Sequence, residues 1–299
     1  MAARKTAPMA DIGIIGGSGL YDMEGLERPR EIRPTTPFGR PSDAIRLGTI
    51  DGIRVAFLSR HGRGHVLTPS DINYRANIYA LKSLGVTRVM SVSAVGSMKE
   101  TIKPGHLVLP EQFIDLTKQR IGTFFGSGLV AHVAFAQPVC PTVVQAMSGA
   151  ARRLGATVHE GGTYVCIEGP QFSSRGESLL YRQWGVDVIG MTNMPEAKLA
   201  REAELCYATM ALATDYDCWR ESEEAVTVEM ILATLQKNVE LAKRVIRSAL
   251  PVAREPRTCL CATALQQAMV TAPQKIPKAV RSRLDLLIGK YMPVRKGGR

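Results

Sequence analysis

The chain has 299 residues and a formal net charge of +11; 45% of its residues are hydrophobic and 22% charged. Those proportions suit a globular protein and exclude a disordered or fibrous one. No apolar stretch reaches the roughly 20 residues of a membrane span, and the run before the first glycines is too short for a secretory leader, so a cytoplasmic location is expected.

In chain order, "IGII" (12–15), "IRVAFLS" (53–59), "RVMSVSAV" (88–95), "LVLP" (107–110), "TYVCIEG" (163–169), "VDVIGM" (186–191) and "CYATMALAT" (206–214) read as strands. Amphipathic helices fall between several of them. In "SDINYRANIYALKSLG" (70–85), Ser70 is a plausible N-cap, Ile78, Leu81 and Leu84 form a stripe, and Gly85 stops the helix. "VVQAMSGAARRLG" (143–155) ends at Gly155 in the same way, and residues 225–250 form a long helix with Val228, Ile231, Leu235, Val239, Ala242 and Ile246 on one stripe. Such alternation predicts a single α/β domain with a mixed, largely parallel central sheet flanked by helices. The domain is expected over 11–250. "PVAREPRT" (251–258) reads as a hinge into a C-terminal helical appendage, 251–299.

The basic excess sits mostly in that appendage. Residues 275–299 carry eight Lys or Arg against Asp285 alone, a charge of +7 that leaves +4 for the rest. With no nucleic-acid motif beside it, a solvated tail is preferred to a nucleic-acid surface. Of six cysteines, four lie in apolar or strand-like surroundings and read as buried thiols. "CLC" (259–261) admits a strained redox pair. There is no CxxC, and the five histidines lack zinc-ligand spacing, so no metal site is expected.

In α/β folds, sites gather where strands end. Here those ends are polar and glycine-rich: "GGSGLY", "RHGRGH", "SAVGS", "EGPQFSSRGE", "MTNMPE" and "TDYDCW". "IGIIGGSG" lacks the GxGxxG spacing of a dinucleotide fingerprint; a single phosphate or a tight turn is enough to explain it. "RHGRGH" alone fits either a solvated basic loop or a phosphate site. Joined with Ser18, Ser93 and Thr192, Arg60 and His61 favour an oxyanion site, because all five supply donors and none brings a competing negative charge. Met191 and Phe172 fit core packing or a flat ligand. Asp215 and Asp217 end a buried apolar run, where carboxylates are costly unless needed. They fit a cap or turn, or a general acid whose partner lies on the same side of an extended strand end.

Together "IGIIGGSGLY", "TPFGRPSD", "RHGRGH", "NYRANIYALKSLG", "IEGPQFSSRGES", "GMTNMPEAKLARE" and "ATDYDCW" resemble the methylthioadenosine phosphorylase family of the purine nucleoside phosphorylase superfamily. The likeness covers about residues 11–250. It implies reversible phosphorolysis of S-methyl-5'-thioadenosine to adenine and 5-methylthioribose 1-phosphate, in purine and methionine salvage. It implies a homotrimer, with a hexamer left open, and no metal or organic cofactor; inorganic phosphate is a co-substrate. It would place Ser18, Arg60, His61, Ser93, Ala94 and Thr192 on phosphate, Met191 on the ribose and Phe172 on the base. Val228, Ile231 and a neighbouring subunit's His132 would line the 5'-methylthio pocket. Asp215 would serve N7 and the exocyclic amine, and Asp217 the base edge. Ser18 and Ser93 stand where many members carry threonine, and both keep the hydroxyl. The competing readings are a 6-oxopurine phosphorylase, disfavoured because such enzymes carry asparagine at Asp215; a nicotinamide-dependent oxidoreductase resting on "GIIGGSG"; and a nucleic-acid binder acting through the tail.

Overall fold

The structure is a computed structural model that describes residues 7–21, 23–220 and 228–292. Its strands are β1 (Ile12–Gly16), β2 (Glu27–Ile32), β3 (Ile45–Ile50), β4 (Ile53–Ser59), β5 (Arg88–Ser97), β6 (Leu107–Leu109), β7 (Gln112–Asp115), β8 (Val158–Glu160), β9 (Thr163–Cys166), β10 (Val188–Gly190) and β11 (Cys206–Asp215). Its helices are α1 (Tyr74–Ser83), α2 (Pro141–Arg153), α3 (Arg175–Gln183), α4 (Asn193–Glu202), α5 (Val228–Ala249) and α6 (Lys278–Ile288).

The strands form one mixed sheet in the order β2-β3-β4-β1-β5-β10-β9-β7. On the far side of β5, β11 pairs in parallel and carries β6 and β8 beyond it. β1 is buried throughout, and β4 and β11 are buried apart from Arg54 and the terminal Asp215, as near-continuous apolar strands covered on both faces are. Alternation within β1 separates two cores: Ile15 joins one, Ile12 and Ile14 the other. The first core includes Ile78 and Leu81 of α1, Leu199 of α4 and Leu284 and Leu287 of α6. The second takes Val143 and Met147 of α2 and Ala242, Val245 and Ile246 of α5. The molecule is thus a three-layer α/β fold.

The appendage contributes to both cores: Leu265, Ile276 and Val280 to the first, Val252 and Cys261 to the second. The segment from 251 opens inside a 3₁₀ turn, Leu250–Arg254, with Leu250 and Val252 buried. Among the described residues, no helix is long and apolar enough to cross a membrane.

One cap differs from expectation. α1 starts at Tyr74, and its N-cap is Asn73, whose Oδ1 accepts from the Ala76 amide at 3.1 Å. Ser70 instead donates its hydroxyl to Glu168, drawing the α1 approach toward the loop after β9. Gly85 follows α1 with φ +89°, the left-handed conformation that glycine adopts without strain.

Candidate active site

The sheet opens at the middle of β5. Residues 88–91 pair with β1 on one side and with β11 on the other. Beyond Ser91 the β1 pairing ends, and Gly96 and Ser97 pair with antiparallel β10 instead. The carboxyl ends of β1, β4, β10 and β11 lie around this opening. A crevice of this kind, where strand connections diverge, is the usual ligand position in an open α/β sheet.

At one end of the opening is a cleft of about 520 Å³, mouth included, lined by Ala94, Gly96, Phe172, Met191, Asp215 and Asp217 among others. Phe172 is 62% exposed, so it walls the cleft and is not packed into the core. Arg120, itself buried, fixes the surrounding loops: its Nη1 donates to the Met191 and Met194 carbonyls at 2.6 and 2.7 Å, and its Nη2 to the Glu168 carbonyl at 2.5 Å.

Asp215 is the last residue of β11. Its Oδ2 accepts from the Thr214 hydroxyl at 2.7 Å, and its Oδ1 from the Asp217 amide at 2.8 Å. Burial raises its pKa, and the Asp217 charge adds to the rise; the Thr214 and Asp217 donors offset only part. A carboxyl held toward its protonated form in a cleft suits general acid work.

Asp217 reaches the cleft by a different route from the expected one. β11 stops at Asp215, and Asp217 takes φ +54° to open a 3₁₀ turn, Asp217–Trp219. A left-handed turn, not strand alternation, puts both carboxylates on one cleft. Asp217 accepts from Ser173 Oγ at 2.9 Å and from the Ser178 hydroxyl of α3. Trp219 anchors the turn through its indole N–H to the Ser97 carbonyl at 2.7 Å.

The other end of the opening holds the hydroxyls and the basic residues. Ser93 Oγ donates to Asn193 Oδ1 at 3.1 Å, which ties β5 to the start of α4. Thr192 Oγ1 is buried with no hydrogen-bond partner in the protein. The His61 imidazole meets the Leu67 carbonyl through Nδ1 at 2.9 Å. A carbonyl only accepts, so Nδ1 carries the proton and Nε2 is left as an acceptor while the ring is neutral. Burial pushes His61 down to about 4; the Leu67 contact opposes this and the Arg60 charge adds to it.

Arg60, expected on phosphate, has its guanidinium engaged within the protein. It is 2% exposed, and Glu196, 1% exposed, faces it. Nε and Nη2 donate to Glu196 at 2.7 and 2.9 Å, Nη2 also to Ser91 Oγ at 2.7 Å, and Nη1 to the Val92 carbonyl at 3.0 Å. Burial disfavours the guanidinium charge, but Glu196 more than offsets this and raises its pKa. The anion end thus contains a carboxylate that the expectation of donors alone left out. Glu196 also accepts from Tyr207 Oη at 2.9 Å, and Asn193 donates to the same hydroxyl at 2.6 Å. Glu196 stands in "MTNMPE" directly after Pro195, an acid at one of the strand ends where sites gather; that was the available signal. Asn193 and Ser173 fall within the same strand-end stretches, whereas Ser91, Tyr207, Ser178 and Arg120 carried no signal.

The remaining candidates lie elsewhere or outside the description. His132 is exposed and borders a separate surface hollow with Leu260 and Gln266. Its position in its own chain is therefore not the cleft. The side chains of Ser18, Val228 and Ile231 lie outside the described residues; their backbones sit in the 3₁₀ turn Ser18–Tyr21 and at the start of α5.

The fold and the site together define a phosphorylase-type sheet with its crevice at the β5 opening. The family profile described as Phosphorylase superfamily matches residues 11–251. The S-methyl-5'-thioadenosine phosphorylase of Geobacter sulfurreducens is 58% identical over 94% of this chain and 99% of its own. That of Synechocystis is 54% identical over 97% and 91%. Among solved structures, a methylthioadenosine phosphorylase from an Antarctic soil metagenomic library has a TM-score of 0.90 at 53% identity, covering 94% of this chain and 99% of that one. The Schistosoma mansoni enzyme in complex with adenine has a TM-score of 0.80 at 35% identity, with 94% and 98% covered. The chain belongs to the phosphorylase superfamily and, within it, to the methylthioadenosine phosphorylase family.

Proposed function

We propose that this protein catalyses the reversible phosphorolysis of S-methyl-5'-thioadenosine, giving adenine and 5-methylthioribose 1-phosphate. The observation that carries the reading is Asp215: a carboxyl with raised pKa on the wall of a cleft that Phe172 and Met191 also line, beside a separate hydroxyl-rich end. Cleaving the N-glycosidic bond leaves an electron-poor sugar and a purine that must gain a proton at N7. Protonated Asp215 supplies that proton, and its carboxylate then accepts from the exocyclic amine. Phe172 covers the base and Met191 the sugar, with Asp217 reading the base edge. Phosphate occupies the end formed by Ser18, His61, Ser93, the Ala94 amide and Thr192. There it stabilises the cationic sugar electrostatically and attacks C1'. Arg60, held by Glu196, fixes the β4 end against β5 and adds a nearby positive charge whose field Glu196 reduces. His61 Nε2 accepts from a phosphate hydroxyl. Val228 and Ile231 face the 5'-methylthio group, and His132 comes from the neighbouring subunit of a homotrimer. No metal or organic cofactor takes part, and the enzyme works in the cytoplasm. The asparagine typical of 6-oxopurine phosphorylases is absent at position 215, which disfavours that alternative.

Incubating the protein with methylthioadenosine, adenosine and inosine, each with and without phosphate, tests the reaction. Adenine should appear from methylthioadenosine only when phosphate is present, in equal amount with a sugar phosphate. Phosphate-independent release would mean hydrolysis and would end this reading.

Thr192 gives a test of the anion end alone. Its hydroxyl has no partner within the protein, so Thr192→Val removes no internal hydrogen bond. Stability should hold or rise slightly. A hydrogen bond to a charged group is worth roughly 1.5–3 kcal/mol, so KM for phosphate should rise about ten- to a hundredfold. Unfolding and phosphate kinetics on one preparation separate the two; an unchanged KM would take Thr192 off the phosphate.

His61 gives a pH test. The unfolded ring titrates near 6.5, and the folded ring near about 4. Above pH 6.5 both states are neutral and the site costs nothing. As pH falls from about 6.5 to about 4, the unfolded chain binds a proton that the folded chain refuses, and stability drops. ¹⁵N chemical shifts of the imidazole should report a neutral His61 at pH 5.5. A midpoint at or above 6.5 would contradict the buried geometry.

A further inference from the structure

Four cysteines from three separate stretches of the chain meet at the opposite end of β11 from Asp215. Cys140 is the N-cap of α2, Cys206 opens β11, Cys259 caps the 3₁₀ turn Leu260–Thr263, and Cys261 lies within that turn. Their four sulfurs all lie within 4.8 Å of one another. Cys206 and Cys259 are 3.3 Å apart, and Cys140 and Cys259 3.8 Å. Cys140, Cys206 and Cys261 are buried, and all four are unbridged.

We propose that this cluster is a structural site for a tetrahedral, thiophilic divalent metal, zinc above all. A Zn–S bond is about 2.3 Å, so the edge of a four-sulfur tetrahedron is about 3.8 Å. The observed separations bracket that value. Four sulfurs with no open position and no carboxylate or imidazole among them select zinc over harder ions, and closure by four protein ligands marks a structural site.

One ligand stands where a thiolate is favoured by position alone. Cys140 stands at the start of α2, where the helix dipole favours negative charge. Binding exchanges the four thiol protons for one Zn²⁺ and releases those protons to solvent. No electron moves and no oxidant is needed, whereas disulfide formation requires one.

The consequence is a clamp. Cys140 and Cys206 belong to the sheet and its helix layer, Cys259 and Cys261 to the C-terminal appendage. The metal would pin the chain beyond Thr258 to the start of β11. Nine residue-to-residue steps of β11, roughly 30 Å, separate Cys206 from Asp215, so chemistry at the cleft should be little affected.

The experiment uses the full chain, tag removed, produced with zinc in the medium and purified without chelator. Metal analysis should find about one zinc per chain. Wild-type protein stripped and reloaded with Co²⁺ should show the visible d–d and sulfur-to-cobalt charge-transfer bands of tetrahedral thiolate cobalt. The Cys259→Ser/Cys261→Ser variant should fall to background zinc and become open to proteolysis beyond residue 250, while kcat/KM for methylthioadenosine changes less than about threefold. The wild-type Co²⁺ spectrum stands even if that variant misfolds. Three results would each overturn the proposal: a mass deficit of two hydrogens per bridge, showing disulfides; four freely alkylated thiols with no zinc; or octahedral cobalt bands. None of these touches the phosphorolysis assay, so the two readings fail separately.

Discussion

Replacing Asp215 with asparagine lowers phosphorolysis of methylthioadenosine by about 10²-fold or more, the usual worth of general acid catalysis. The reason is chemical. An amide keeps hydrogen-bonding capacity but transfers no proton to N7. It also changes the reading of position 6. Adenine presents a donor amine there, which a carboxylate accepts; a 6-oxopurine presents an acceptor, which a carboxylate repels and an amide N–H satisfies. Activity on inosine or methylthioinosine should therefore fall less, or rise. A site that pairs a polar group discriminates strongly against a ligand that leaves it unpaired. The ratio of specificity constants, 6-amino over 6-oxo, reports the effect. A ratio equal to that of wild type would mean that Asp215 does not read the base. In the wild type, activity that depends on protonated Asp215 declines as pH rises through its raised pKa, so the mutant should lose that limb of the profile.

Arg60→Ala has a large effect of another kind. It leaves the Glu196 carboxylate, 1% exposed, with only the Ser91 and Tyr207 hydroxyls. Breaking a buried pair by removing one partner costs about 3–5 kcal/mol. At roughly 2–4 °C per kcal/mol for a chain of this size or a little smaller, Tm should fall by roughly 6–20 °C. KM for phosphate should also rise, because the β4 end that presents His61 loses its anchor. Arg60→Ala/Glu196→Gln should recover part of the stability and little of the phosphate affinity. Calorimetry and phosphate kinetics on both variants separate the roles. A single variant as stable as wild type would show that the pair is not buried in solution.

How much of this was legible in the sequence depended on whether a residue's neighbours are local. β4 was read to the residue, and β1 and β11 to within one, because strands covered on both faces are near-continuous apolar runs. β2 was missed: "ERPREI" is exposed, charged and carries a proline, which is how an edge strand looks and also how a loop looks. Ser70 and Asn73 are equally good caps by type, and only the path of the chain chose Asn73. The fold class and most strand-end chemistry followed from alternation and from motifs. What did not follow came from pairs distant in sequence. Glu196 lies 136 residues from Arg60, so its opposing charge could not be seen beside "RHGRGH". The positive φ at Asp217 overrode strand alternation, which no local pattern announced. The four sulfurs gather from positions 140, 206, 259 and 261, a spacing that matches no metal-ligand motif.

The central claim is that purine and phosphate occupy opposite ends of the β5 opening, with Asp215 on the base. A crystal structure of the protein with adenine and phosphate tests it most directly. The account predicts adenine against Phe172, its N7 within about 2.6–3.2 Å of an Asp215 oxygen. It predicts phosphate within the same range of Thr192 Oγ1 and the Ala94 amide. Adenine bound with N7 turned away from Asp215, or phosphate bound elsewhere than this opening, would contradict it.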